Sequence, residues 1–527
     1  MNNYGAFVLA ACLACGAQAQ ENISLAGHVN YQVLRNSDLS NLWGYADEDG
    51  NEYALVGVNG NDGDMNSGGL SVVDVTDPAN PVELFFAPGP PSIWREVKVW
   101  GDHAYVTTEA PFGLQIVDLS PLPQSTDLPV TVFQGDGWTT AHSLFIDENG
   151  RLYVNGTNRG EQGVIMYDLT QDPMAPVEVG EYEFLYCHDS YARGDTLYAA
   201  HVYDGLLSMA DVSDPSTPVQ LGTITTPSAF THNVWIDNTG QYAFTTDEVA
   251  DAYVAAYDVS DPTDIKEVDR LQSDPGHGTI PHNTYWLDHF LVTSYYTYGV
   301  VIYDATRPGN LVETGRYDTS PFSGCCFNGA WGVYAFLPSG RLLVSDIEGG
   351  LFILDPTYVH AAWLEGLVTN GNTGVPINGA VVTLGTPATT DNTAFDGNYA
   401  LGTPTPGTFT VTASASGFPD QVIPGVILTS GQVTQLNIPM GVDLGVEERP
   451  APGAAPLEVS PNPGRGLYRV RGEGELDLLD LQGRVVLPLG AVHGHRELDV
   501  RTLPPGTYLL RSLSTEGSVQ MRRLVKE

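Results

Sequence analysis

Four histidines recur at near-regular intervals: His142, His188, His232 and His282, 44 to 50 residues apart. Imidazole titrates closest to neutrality and ligates zinc, copper, iron or nickel through either ring nitrogen. A chain that repeats with that period and closes on itself would bring such side chains to one axis. Trp94 and Trp331 hold neighbouring phases outside the series. Glu109, His201, Asp247, Glu248 and Asp346 end the strands that follow, as candidate ligand-binding residues or as partners that orient a metal-bound imidazole. Their carboxylates widen the choice to manganese. The competing reading is that equivalent positions repeat because a fold repeats, so that each histidine simply hydrogen-bonds to its neighbouring repeat. The loop Asn59-Gly60-Asn61-Asp62-Gly63-Asp64-Met65-Asn66 is rich in the oxygen donors calcium prefers, but lacks the terminal Glu of an EF-hand. A solvated loop is its alternative. With Cys12 and Cys15 assigned to a leader, the chain has no CxxC pair, and it has no phosphate-cradling Gly loop or Gly-x-Ser-x-Gly elbow. No catalytic residue is assigned.

A repeat must position these side chains. An apolar run ending in Asp recurs seven times, at Asp74, Asp118, Asp168, Asp211, Asp258, Asp304 and Asp355, with spacings of 43 to 51 residues. An Asp-Pro turn follows at Asp77-Pro78, Asp214-Pro215 and Asp261-Pro262, and a second strand precedes each run. Glu148-Asn149-Gly150, Asn238-Thr239-Gly240 and Pro338-Ser339-Gly340 carry hairpin chemistry. Four strands in about 40–50 residues make one blade of a β-propeller. Solenoid repeats are shorter, and a sandwich needs about twice this length. Seven blades are expected, with their first strands, and therefore the histidines, lining the central channel. No fourth-strand pattern follows Asp355. The missing strand is Ile23-Ser24-Leu25-Ala26-Gly27, which should complete blade seven. The recurring Asp residues are expected to accept backbone N–H groups and fix the corners.

The 527 residues carry 63 acidic and 22 basic side chains, a net charge of −41. That charge repels nucleic acid and anionic lipid. Residues 456–527 break the pattern, with ten basic and nine acidic residues against 12 and 54 before them. Phe7 to Ala14 is apolar and precedes Ala17-Gln18-Ala19, as in a cleaved signal peptide. Leu9-Ala10-Ala11-Cys12 also has the look of a lipoprotein box, and a buried first strand is a further alternative. No later run is apolar for the ~18 residues a membrane span needs. Removal of the leader leaves Cys187, Cys325 and Cys326, an odd number that cannot form a complete disulfide framework. For adjacent Cys325 and Cys326, two buried thiols are favoured over a vicinal disulfide.

The repeat resembles the LVIVD-repeat propellers. Ser92-Ile93-Trp94-Arg95-Glu96-Val97, Tyr186-Cys187-His188-Asp189, Phe230-Thr231-His232-Asn233, Thr246-Asp247-Glu248, Ile280-Pro281-His282-Asn283 and Pro338-Ser339-Gly340 resemble more specifically the choice-of-anchor B family. That resemblance implies an exported propeller with a variable C-terminal anchor, and it brings no established reaction with it. Trp363 to about Val442, with Leu364-Glu365-Gly366-Leu367-Val368 and Phe409-Thr410-Val411-Thr412-Ala413, is similar to a carboxypeptidase regulatory-like β-sandwich. The tail carries Val459-Ser460-Pro461-Asn462-Pro463, Leu478-Leu479-Asp480-Leu481-Gln482-Gly483-Arg484, Leu503-Pro504-Pro505-Gly506-Thr507-Tyr508 and a basic end. It resembles the type A sorting domain of type IX secretion. This implies export through that machinery, then removal of the domain with release or surface attachment.

The expected chain is all-β: a signal peptide (1–19), a seven-bladed propeller (20–360), a β-sandwich (361–442), a linker (443–455) and a second small β-sandwich for sorting (456–527). The expected function is a secreted or cell-surface propeller that binds an extracellular protein, glycan or other ligand. The alternative is a metal-dependent hydrolase or oxidoreductase working at the propeller axis.

Overall fold

Among the described residues, seven sheets of four antiparallel strands each lie between Ile23 and Pro356, and consecutive strands along the chain are neighbours in six of them. The first is built from Leu39–Ala46, Glu52–Val58, Gly68–Asp74 and Val82–Gly89. These are propeller blades. A computed structural model describes residues 20–61, 63–135, 137–385, 388–441, 456–481, 483–514 and 519–527. The expected signal peptide and linker lie outside the described residues, as does Asp62.

The first strands of the later blades are Val97–Trp100, Ser143–Ile146, Asp189–Arg193, Thr231–Ile236, Thr284–Leu287 and Ala330–Tyr334. They neighbour one another around the ring and line the axis. Strands behind them are buried on both faces, as Glu52–Val58 and Leu342–Asp346 are throughout, which is why they read as continuous apolar runs. Outer strands such as Lys266–Leu271 have one solvated face and alternate instead. The ring closes through Ile23–Val29, which pairs antiparallel with Gly350–Pro356 as the outermost strand of blade seven. First and last parts of the propeller sequence thus share one sheet, and no long edge is left between them.

The recurring Asp residues make the corners. Asp74 accepts from the backbone N–H of Thr76 at 2.9 Å, Asp118 from Ser120 at 2.9 Å and Asp211 from Ser213 at 2.9 Å. Asp168, Asp258 and Asp304 do the same two residues on. Asp355 differs, because its strand runs on to pair with Ile23 and Ser24, and it meets Arg341 at 3.2 Å.

One compact unit contains these blades and most of the next domain, in which two sheets face each other. Asn398–Thr403, Ala362–Asn370 and Val433–Gln435 form one of them. Thr389–Asn392, Val381–Leu384, Gly407–Ser414 and Gln421–Leu428 form the other. Leu364, Val368, Val382, Leu384, Tyr399 and Val411 are buried in this sandwich. A second unit holds Glu458–Ser460, Leu467–Leu479, Val485–Asp499, Gly506–Leu513 and Val519–Lys526. The long strand Leu467–Leu479 pairs its first half with Glu458–Ser460 and its second half with Gly506–Leu513. Gly474, between the halves at φ 116°, brings its backbone so close that a Cβ would lie 2.4 Å from the Leu513 carbonyl oxygen. Tyr468, Val470, Leu476, Leu478, Val492 and Leu510 fill the core of this unit.

Cys325 and Cys326 correct the sequence expectation. Both are exposed, with their Sγ atoms 3.0 Å apart, in a Pro/Ser/Gly-rich loop that no strand covers.

Candidate functional site

The propeller axis is layered. On each first strand the residue three places after the histidine position is aromatic in four consecutive blades: Phe145, Tyr191, Trp235 and Tyr285. Trp235 lies 4.5 Å from Tyr191, 4.9 Å from Tyr285, 5.7 Å from Phe145 and 5.8 Å from Phe336, ring centre to ring centre. Trp43 extends the group to Tyr285 and Tyr334. This aromatic plug seals one level of the channel.

The next level is polar. The Asn41 side-chain amide donates to Glu96 at 2.6 Å, Glu96 pairs with Lys98, and Lys98 lies 4.3 Å above the Trp43 ring. Asn233 donates to Asp189 at 2.7 Å. Burial raises the Asp189 carboxyl to about 7, against the opposing pull of Lys98 and with further repulsion from Glu96.

Above it stand the imidazoles. His142, His188, His232 and His282 follow one another with ring centres 4.0, 4.2 and 4.2 Å apart. Trp331 continues the series, 5.1 Å from His282, and Trp94 lies 6.5 Å from His142 at the other end. Backbone irregularity turns two of these residues to the axis. The ladder skips His232 between Thr231 and Asn233, and skips Trp331 between Ala330 and Gly332, as β-bulges do.

Three of the four rings are fastened through Nδ1 to the next blade. His188 Nδ1 lies 3.2 Å from the His232 carbonyl oxygen, His232 Nδ1 3.0 Å from that of His282, and His282 Nδ1 2.6 Å from that of Trp331. A carbonyl only accepts, so Nδ1 carries the proton in all three rings and Nε2 presents a lone pair. His142 Nδ1 instead meets the Glu109 carboxylate at 2.6 Å. Burial holds His282 down to about 3 and lowers His188 and His232 as well, so these three rings are neutral at pH 7.

Glu248 enters from the blade-five loop. Its Oε2 lies 3.6 Å from His232 Nε2 and its Oε1 3.7 Å from His282 Nε2. The Tyr296 hydroxyl donates to Oε1 at 2.5 Å. Burial raises the Glu248 carboxyl to about 7, opposed by that hydrogen bond. His188, His232 and Glu248 offer ligand atoms that all lie within 4.8 Å of one another. A cavity of about 40 Å³ lies among them, lined also by His142, Asp189 and Trp331. That is room for a water molecule or an ion.

The remaining sequence candidates sit elsewhere. His201 is fully buried between Tyr186 O and Ser208 Oγ, each at 2.8 Å from one of its ring nitrogens. Asp247 caps its own loop by accepting from Thr226 Oγ1, Ser228 N and Phe230 N. Asp346 accepts from Thr319 Oγ1 and Gly349 N. All three end second strands, one layer behind the axis, where each is satisfied locally. They do not line the cavity. In the described part of the Asn59–Asn66 loop, Asn61 N donates to Ser67 Oγ and Asn66 N to Asp64 Oδ1. Glu96, Lys98, Asp189 and Tyr296 did not emerge as site residues from the sequence. For Asp189 a signal existed: the position after each histidine is polar in all four blades, as Ser143, Asp189, Asn233 and Asn283. Tyr296 lies in an irregular turn with φ 38°, outside any repeat pattern.

Among the described residues no helix is long and apolar enough to cross a membrane. No curated protein matches the chain. Residues 364–441 match the carboxypeptidase regulatory-like domain, and residues 51–86, 94–123 and 192–226, in blades one, two and four, match the LVIVD repeat. These two matches, on an all-β fold with seven four-stranded blades, point to an extracellular β-propeller-type protein.

Proposed function

We propose that the protein is an exported, surface-associated propeller that takes up a small extracellular ligand at the histidine end of its axis. The observation that carries this reading is the convergence, on one small cavity, of neutral imidazoles clamped through Nδ1 with Nε2 left facing inward. Such rings are oriented for a ligand rather than for packing alone. Export rests on residue patterns. Phe7 to Ala19 reads as a signal peptide, the motifs from Val459 to Lys526 read as a type A sorting domain, and the blade motifs resemble the choice-of-anchor B family. In this reading the propeller spans 20–360, the regulatory-like sandwich 361–442 is a spacer, and 456–527 engages the type IX machinery. Native mass spectrometry of gently desalted, exported protein tests the ligand. A bound mass present in the wild type and missing from His282→Phe, which fills the cavity, supports the reading. Wild-type and variant masses that each match the bare polypeptide contradict it.

A second reading, metal-dependent hydrolysis or redox chemistry at the same axis, is favoured by Glu248, whose carboxyl is raised to about 7 by burial beside the imidazoles. Turnover lost in Glu248→Gln with ligand uptake retained would select it, whereas uptake with no turnover in the wild type would leave simple binding.

A further inference from the structure

At the axial cavity, acceptors face acceptors. Nδ1 of His188, His232 and His282 is committed as a donor to a carbonyl, so each Nε2 is a lone pair. Two of these lone pairs stand 3.6 and 3.7 Å from the two oxygens of one carboxylate, whose nearer donor is the Tyr296 hydroxyl. At 3.6 and 3.7 Å these nitrogens and oxygens are too far apart for a direct hydrogen bond, and a cation seated between them would satisfy both. Histidines that merely bond from blade to blade would account for Nδ1, but not for Nε2 aimed at a carboxylate.

We infer that this cluster binds one divalent first-row transition-metal ion, held by Nε2 of His188 and His232 and by Glu248, with His282 Nε2 as the fourth donor. The inference rests on the axial cavity being the functional site and names what that site holds. The distances suit it. Donors around a tetrahedral ion with bonds of about 2.0–2.2 Å stand about 3.3–3.6 Å apart. The 3.6 Å from Glu248 Oε2 to His232 and the 3.7 Å from its Oε1 to His282 need only a small movement, while His188, whose ligand atom lies within 4.8 Å of the others, must move further. The supports are also in place. Three successive rings donate Nδ1–H to a main-chain carbonyl, and the carboxylate accepts from Tyr296, the two devices by which proteins hold metal ligands in position. A set of imidazoles with one carboxylate and no thiolate selects zinc, copper, nickel or iron over the all-oxygen shells of magnesium and calcium. His142, steered by Glu109, stands beside the set, with its ring centre 4.0 Å from that of His188.

The test uses the full chain, stripped of metal and titrated with Zn²⁺ and, separately, Co²⁺, by calorimetry and thermal melting. One ion per chain with a raised melting temperature is expected. His232→Ala and Glu248→Gln should each weaken binding at least about tenfold. His493→Ala is the control, an exposed histidine paired with Glu473 at 2.9 Å on the C-terminal domain, and should change nothing. Glu248→Gln preserves size and shape, so it decides the matter if His232→Ala fails to fold. Absence of stoichiometric binding of either ion, or equal binding in wild type and Glu248→Gln, overturns the inference. An organic ligand at the axis without metal would leave the ligand-binding reading standing and remove only the metal. Finding neither would remove both.

Discussion

Tyr296→Phe isolates the support of one proposed ligand from the ligand itself. The Tyr296 ring is 1% exposed and packs 5.0 Å from His282, 5.3 Å from Phe327 and 6.2 Å from Trp331, all contacts that phenylalanine keeps. Only the hydroxyl goes, and with it the 2.5 Å hydrogen bond to Glu248 Oε1. A hydrogen bond to a charged group contributes about 1.5–3 kcal/mol. Loss of a partner behind a metal ligand costs about 10–100-fold in affinity, which corresponds to about 1.4–2.7 kcal/mol. The two routes agree, so Zn²⁺ affinity should fall by one to two powers of ten, at about 10–100-fold. Competition against a chelator of known affinity measures this directly, with circular dichroism as the check on folding. Glu109→Gln is the companion. The Glu109 carboxylate meets His142, outside the inferred set, and its loss should shift affinity by less than about threefold. A folded Tyr296→Phe protein that binds Zn²⁺ as the wild type does would refute the role given to Glu248.

Other consequences follow from particular residues. Burial raises the Asp269 carboxyl to about 6, with Glu267 and Asp391 adding repulsion and the Leu311 N–H, at 2.6 Å, opposing. Because the folded-state value exceeds the unfolded one, the stability it contributes is full below about pH 4 and is lost as pH rises through 6, by up to about 3 kcal/mol. Asp269→Asn should therefore melt higher than wild type at pH 8 and equally below pH 4, and parallel melting curves across that range would contradict this. Gly27→Val should open blade seven, since a Cβ there would lie 1.7 Å from the Pro78 carbonyl oxygen and the closing strand must peel away. Limited proteolysis should then cut within residues 20–30 well before it cuts the wild type, and equal rates would count against the closure. A chain truncated after Met440 should reach the periplasm and stay there, while full-length exported protein should be cleaved between about Val442 and Val459. Intact masses that retain Arg522 to Glu527 on most exported molecules would refute the sorting assignment.

The blades were legible because burial on both faces forces unbroken apolar runs, and because six of the seven runs end in an Asp that caps its own turn. Blade closure was legible for the same reason: a missing pattern at one end of the repeat had its complement at Ile23 to Gly27. The histidine layer followed from period alone. What period could not supply is direction across a strand. His201, Asp247 and Asp346 share the repeat but sit on second strands, where hydroxyls and main-chain N–H groups satisfy them away from the axis. Bulges at His232 and Trp331 shift the facing of a strand by one residue and leave no compositional mark. Tyr296 and the Glu96–Lys98 pair reach the channel through turns and layers particular to single blades. Cys325 and Cys326 were misjudged because thiols are usually buried, whereas the loop that carries these two leaves both exposed.

The most direct measurement is anomalous diffraction at the metal absorption edge, from crystals of the full chain purified without chelator and supplied with Zn²⁺. One strong peak is expected on the propeller axis, bonded at about 2.0–2.2 Å to Nε2 of His188 and His232 and to Glu248, with Nδ1 of His188, His232 and His282 each still on its carbonyl. An axis without a peak, or an ion held through Nδ1 after those carbonyl bonds have broken, would contradict it.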